Sequence, residues 1–159
     1  MSEIAVTSEQ FQHEGQLPTT AAYPAVGGKN WSPQLSWSAV PEGTRSVAVT
    51  CYDPDAPTTV GFVHWVRFGI DPSARSLDEG AGTAGGPGTD GFTDWGERQY
   101  GGMAPPAGDP AHHYHFTVYA LDSETLGLDP DTTYAKFRFL IRGHVLATGT
   151  ITGRYAVEG

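Results

Sequence analysis

Residues 112–121 read HHYHFTVYAL, and their period of two decides what they form. Alternation puts His112, Tyr114, Phe116 and Val118 on one face of a strand and His113, His115, Thr117 and Tyr119 on the other. Two earlier stretches share that period. Ser46–Tyr52 sets Val47, Val49 and Cys51 against Ala48, Thr50 and Tyr52, and it stops at Asp53-Pro54. Phe62–Ile70 (FVHWVRFGI) sets Phe62, His64, Val66 and Phe68 against Val63, Trp65 and Arg67.

Outward from these three strands the signals are shorter. Thr148–Ala156 (TGTITGRYA) alternates again and reads as a closing strand. Leu35-Ser36-Trp37 lies among Pro and Gly turns and reads as an edge strand or hairpin arm. After Asp129-Pro130-Asp131 the spacing becomes helical: Phe137, Leu140, Ile141, His144 and Val145 follow i, i+3, i+4, i+7, i+8, with Asp131 or Thr132 placed to cap the start. An antiparallel, mainly β domain with one or two small peripheral helices follows.

The chain of 159 residues, 38% hydrophobic and 11% aromatic, can bury one core, and a single domain over residues 1–159 is expected. Nine basic against 18 acidic side chains give a formal net charge of −9, which argues against duplex DNA or an anionic bilayer as partner. No stretch approaches the roughly 20 apolar residues of a membrane span. Cys51 has no second cysteine to pair with, and Met1–Thr20 lacks the pattern of a secretory signal. A cytoplasmic location is therefore expected. With 21 Gly and 12 Pro the chain is loop-heavy. The long aperiodic segment Asp71–Ala111 contains Trp95 and Tyr100-Gly-Gly-Met-Ala-Pro-Pro106, so it reads as a packed, site-forming loop.

The candidate chemistry is a set of acids, imidazoles and a phenol. Asp53-Pro54-Asp55-Ala56-Pro57 leaves a strand through a turn stiffened by two prolines, which aims its carboxylates; an ordinary Asx-Pro turn with solvated acids is the competing reading. His64 sits on an apolar strand face, where it is either a satisfied core histidine or a site residue. If Asp53 lies beside it, the imidazolium is favoured, and with N–H groups of the Gly-rich loop it makes a small electropositive hole. His112 and Tyr114 share a face directly after Pro105-Pro106-Ala107-Gly108 and can hydrogen-bond an anion. His113 and His115 also share a face, but no local acid or Cys completes a metal sphere, so no metal is expected. His13 reads as a surface residue and His144 as a packed member of the helical stripe.

These residues resemble the phosphatidylethanolamine-binding protein (PEBP) family, in its bacterial YbhB/YbcL, Raf kinase inhibitor-like branch. The resemblance runs through Asn30-Trp-Ser-Pro-Gln-Leu-Ser-Trp37, Val40-Pro-Glu-Gly-Thr44, Tyr52-Asp-Pro-Asp-Ala-Pro57, His64-Trp65, Thr93-Asp-Trp-Gly96, Tyr100-Gly-Gly102, Pro105-Pro-Ala-Gly108, His112-His-Tyr114 and Gly143-His-Val-Leu-Ala147. It departs from the branch at Met103, where proline is usual. The resemblance implies a β-sandwich core and a pocket for phosphate-like anions or phospholipid head groups. It assigns that pocket to Asp53, Ala56, Pro57, His64, His112 and Tyr114, with Gly101, Gly102, Ala104 and Pro105 as a loop wall.

No G-x-S-x-G, H-E-x-x-H, Walker A or dinucleotide glycine motif is present, so nucleophilic catalysis has no clear candidate and no cofactor is expected. The expectation is a non-catalytic protein that binds a small phosphorylated ligand or anion. The alternative is a phosphoesterase or hydrolase-type enzyme using the same Asp/His/Tyr set. A third reading has the loop at 71–111 present the pocket to a kinase or protease, and a homodimer is compatible with the sequence. Nucleic acid binding and membrane insertion are not expected.

Overall fold

The long strands form where the two-residue alternation is strongest. In the computed structural model, which describes residues 2–159, the chain begins with β1 (Ser2–Glu3), β2 (Val6–Thr7) and β3 (Gly15–Gln16). Two 3-10 turns, Thr19–Ala21 and Pro24–Val26, lead to β4 (Leu35–Trp37), β5 (Ser46–Asp53) and β6 (Phe62–Ile70). Then come β7 (Ser76–Leu77), α1 (Ala81–Ala84), β8 (Thr89–Asp90), β9 (His112–Leu121), α2 (Tyr134–Leu140) and β10 (Val145–Tyr155). The large sheet runs β1-β10-β9-β5-β6-β8, with β3 also paired to β10, and its four long strands are mutually antiparallel. A small sheet, β2-β4-β7, packs over one face. Leu35–Trp37 is thus its central strand rather than the edge strand or hairpin arm expected, because β2 and β7, both distant in sequence, pair to either side of it.

Each face of the large sheet has its own apolar layer. Val47, Val49, Cys51, Tyr114, Phe116 and Val118 point inward and bury against Leu35, Trp37 and Leu77 of the small sheet. Ala48, Tyr119 and Leu121 point the other way and are covered by Phe137 and Ile141 around α2. Fully burying a side chain such as Phe116 or Phe137 contributes about 2–3 kcal/mol, so both layers hold the sheet. No helix among the described residues is long and apolar enough to cross a membrane.

Strand β6 departs from the alternation in a way that matters for the site. Asp53 pairs with Phe62 and Tyr52 with Val63, but Cys51 pairs with Trp65, so His64 is an extra residue in a β-bulge. Val63, Val66 and Phe68 consequently share the α2 face, a spacing strict alternation forbids. The expected grouping of His64 with Val66 and Phe68 is therefore incorrect: the bulge turns His64 to the end of the inner face, beside Phe62 and Tyr114.

Helix α2 is shorter than the apolar spacing suggested. Thr133 caps it, its hydroxyl accepting from the Lys136 N–H at 3.2 Å, while the Thr132 hydroxyl is occupied by the Asp129 N–H at 2.9 Å. Gly143, at φ 80°, turns the chain after the helix, and Val145 already belongs to β10. His144 therefore lies in the turn, partly exposed and bonded to Asp122 at 2.8 Å, not on a packed helical stripe.

The segment at 71–111 is ordered by buried polar anchors. Arg67 is buried and donates to the carbonyls of Pro87, Ala81 and Gly86 and to the Asp90 carboxylate. Asp90 also accepts from Trp65 Nε1 at 3.0 Å. Further along, Asn30 Oδ1 accepts from the Gly102 N–H at 2.7 Å and the Tyr100 hydroxyl donates to the Ala21 carbonyl at 2.7 Å. Short as its elements are, this loop is pinned to β6 through Arg67 and to the segment before β4 through Ala21 and Asn30.

Candidate functional site

A cavity of about 220 Å³ opens where β5 ends and β6 and β9 begin. Antiparallel pairing brings those three strand ends together although they are far apart in sequence. Its wall holds Asp53, His64, His112 and Tyr114 among apolar groups, chiefly Phe62 and Trp95. Few polar groups in an apolar concavity is the usual make-up of a small-ligand site.

Asp53 is the last residue of β5 and is buried. Its Oδ1 accepts from the Asp55 N–H at 2.7 Å, which fixes the turn, and its Oδ2 meets His112 Nδ1 at 2.8 Å. The other ring nitrogen of His112, Nε2, lies 3.1 Å from Asp109 Oδ2. Two carboxylates on two ring nitrogens require both nitrogens to carry hydrogen, which is the imidazolium. Burial opposes that charge, but the bonds to Asp53 and Asp109 outweigh it and hold His112 above the ordinary histidine range. The Tyr114 phenol is pushed upward, first by burial and then by the Asp53 charge, so it stays protonated and able to donate.

His64 is the opposite case. Its Nδ1 lies 2.7 Å from the Gly101 carbonyl oxygen, which can only accept, so Nδ1 carries the hydrogen and Nε2 is the free lone pair. Burial pushes this imidazole below its usual range, more than the Gly101 carbonyl and the Asp53 charge raise it. The expected Asp53–His64 cation is thus corrected: Asp53 pairs with His112, and His64 is neutral.

Asp53, Ala56, Pro57, His64, Ala104, Pro105, His112 and Tyr114 all line the cavity. Gly101 and Gly102 do not line it. The Gly101 N–H donates to the His64 carbonyl at 2.9 Å and the Gly102 N–H to Asn30 Oδ1, so neither is free for an anion. Their small size serves packing instead: a Cβ on Gly101 would sit 2.1 Å from Trp95 Cδ1, and one on Gly102 would sit 2.3 Å from the Ala21 carbonyl oxygen.

Sequence reasoning missed Thr58, Phe62, Trp95 and Pro106 in the wall, and Asp109 beside it. Trp95 stacks on Tyr23 with ring centroids 3.9 Å apart and donates from Nε1 to the Gly102 carbonyl. Nothing in the local pattern around Trp95 tells a cavity aromatic from a core one. Asp109 had a signal, since it stands three residues before His112 at the end of a Pro-Gly turn.

On the outer face His113 binds Asp55 at 2.8 Å and His115 bonds Thr152 at 2.7 Å, so the two imidazoles serve separate neighbours. Among the described residues no group of three or more His, Cys, Asp or Glu side chains is arranged to hold a metal ion.

Residues 7–156 match the model of the phosphatidylethanolamine-binding protein family. UPF0098 protein YbcL of Escherichia coli (strain K12) is 39% identical over 160 residues, covering 96% of this chain and 87% of that protein. UPF0098 protein YbhB of the same organism is also 39% identical, over 96% of this chain and 100% of its own length. The crystal structure of Escherichia coli YbcL, described as a new member of the mammalian PEBP family, superposes with a TM-score of 0.92 at 38% identity, covering 99% of this chain and 100% of that one. A PEBP homologue from Chlamydia trachomatis gives a TM-score of 0.86 at 29% identity, again over 99% and 100% of the two chains. The sandwich of unequal sheets and the order of its strands are those of a known fold, and this chain belongs to the phosphatidylethanolamine-binding protein family.

Proposed function

We propose that the cavity is a non-catalytic binding site for a phosphate-like group, whether free, on a phospholipid head group or on a phosphorylated side chain. The observation that carries this reading is the convergence of Asp53, His64, His112 and Tyr114 on one largely apolar cavity. A volume of about 220 Å³ suits a head group, the equivalent of about seven waters at roughly 30 Å³ each. His112 supplies the positive charge, held in place by Asp53. The Tyr114 hydroxyl donates to a second oxygen, and the bare His64 Nε2 accepts from a protonated oxygen of the ligand. Phe62 and Trp95 exclude water and strengthen these bonds.

Calorimetric titration with inorganic phosphate, phosphoethanolamine and a phosphoserine peptide tests the reading and separates the sources of the group. Binding that is lost in both His112→Asn and Tyr114→Phe supports it. Binding unchanged in both variants overturns it. The Asp53–His112 pair and a neighbouring phenol are also the parts of an acid–base catalyst. Turnover of a phosphoester that disappears in Asp53→Asn would replace binding by hydrolysis as the function.

A further inference from the structure

The charge inside the site is not that of a simple cationic hole. His112 is the only wall residue whose geometry demands a positive ring, and carboxylates lie against both of its nitrogens. Asp53 is buried and built into its turn, so it belongs to the frame. Asp109 differs in every respect. Its side chain is 39% exposed, and it sits in a surface turn whose neighbours Pro106, Ala107, Gly108 and Pro110 are all exposed. That turn is held by the Asp109 N–H on the Pro106 carbonyl at 3.1 Å and the Gly108 N–H on the Val157 carbonyl at 2.9 Å.

Nε2 of His112 has one hydrogen to give, and Asp109 takes it. Any anion that uses this nitrogen has to remove the carboxylate, and one that does not still meets its negative charge a few ångströms away. Being three residues from His112, Asp109 competes at a high local concentration that no free ligand matches by dilution. Rotation of its side chain is enough to release Nε2, because the carboxylate already faces water and the hydrogen bond it gives up on buried His112 is the one a ligand oxygen replaces.

We propose that Asp109 is a resident competitor at the pocket: its carboxylate takes the position that an oxygen of the phosphate-like ligand occupies on His112 Nε2, and binding exchanges one for the other. This rests on the reading of the cavity as a phosphate-type site. It makes Asp109 a determinant of affinity. Any ligand oxygen that uses Nε2 must outcompete a tethered carboxylate, which lowers the apparent affinity of phosphate esters and carboxylic acids by a common factor.

The test is calorimetric titration of inorganic phosphate and of acetate into the natural protein and into Asp109→Asn, Asp122→Asn and His112→Asn. Asparagine keeps the shape of Asp109 and removes its charge. Asp122, an exposed acid that bonds His144 at the far end of β9, controls for a general loss of negative charge. The expected result is phosphate affinity about five- to tenfold higher in Asp109→Asn, a similar gain for acetate, and little change in Asp122→Asn. In the natural protein, ¹⁵N NMR of the His112 ring should show the Nε2 resonance moving as phosphate is added while Nδ1 stays.

Phosphate affinity unchanged or reduced in Asp109→Asn, together with weakened binding in His112→Asn, would overturn the competitor role and leave the pocket reading standing. Equal tightening in Asp122→Asn would overturn it as well, reducing the effect to net charge. If none of the proteins binds phosphate, or if His112→Asn binds it as well as the natural protein does, the pocket reading falls and this inference falls with it.

Discussion

Asp53 and His112, 59 positions apart in the chain, form a buried pair at 2.8 Å that joins the end of β5 to the start of β9. The pair closes the inner face of the large sheet and at the same time sets the charge of the cavity. Replacing Asp53 by Asn keeps an acceptor for Nδ1 but removes the charge. A stability loss of about 2–3 kcal/mol is expected from urea unfolding at neutral pH. Phosphate binding should fall with it, because the remaining imidazole has less reason to hold its second proton.

The fold shifts the pKa values of His112 and His64 in opposite directions. The folded state raises the pKa of His112, so its contribution to stability is complete below about pH 6.5, the unfolded value, and is lost as pH rises through the higher folded value. Comparing urea midpoints of the natural protein and His112→Asn from pH 5.5 to 8.5 should show a difference that shrinks with rising pH. A difference that grows instead would contradict the pairing. For His64 the folded value is lowered, so this group destabilises the fold as pH falls below about 6.5. His64→Gln, which retains a donor for the Gly101 carbonyl, should lessen that acid sensitivity.

At neutral and higher pH, ligand affinity should follow the ionisation of His112. Sulfate, whose charge is fixed over this range, is a suitable probe. Its binding is expected to weaken above the raised pKa of His112, while His64, whose pKa is lowered, is already neutral there. A flat profile over that range would count against the assignment of the charge to His112.

Tyr114→Phe removes a hydroxyl and leaves the buried ring in place. Its cost should appear mainly in binding, about tenfold in Kd for one lost hydrogen bond, with the urea midpoint little altered. A large stability loss would mean that the hydroxyl is a structural partner rather than a ligand donor.

Arg67→Met tests whether the loop at 71–111 is a fixed wall. It removes the guanidinium from the carbonyls of Pro87, Ala81 and Gly86 and leaves the Asp90 carboxylate with Trp65 Nε1 but no positive partner, and a loss of about 3–5 kcal/mol is expected from breaking the buried Arg67–Asp90 pair. Limited proteolysis should then cut first near residues 81–90. Cleavage confined to other segments would show that the loop holds without this anchor.

The three long strands were legible because their side chains alternate over seven to ten residues, and β6 and β9 were bounded in the sequence at the residues where they begin and end in space. The end of α2 was not, since Leu140, Ile141, His144 and Val145 keep a helical spacing across Gly143, and only the turn at that glycine shows the chain leaving the helix. Leu35–Trp37 was misplaced for a related reason: β2 and β7, which flank it, are two residues long and carry no readable period. Of the candidate site, Asp53, His112 and Tyr114 followed from strand ends and a shared face, whereas Trp95 and Asp109 lie in aperiodic segments where spacing carries no direction.

By itself the sequence determined where the three long strands lie, how the side chains of β5 and β9 divide between two faces, and that acids, imidazoles and a phenol sit at their ends, because these depend on local alternation and on where prolines stop it. Only the tertiary structure decided which histidine carries the charge. A one-residue bulge in β6 turns His64 onto the Gly101 carbonyl, and antiparallel pairing of β5 with β9 sets Asp53 against His112. Protonation follows from the partner across the cavity, and no spacing along one chain reveals that partner.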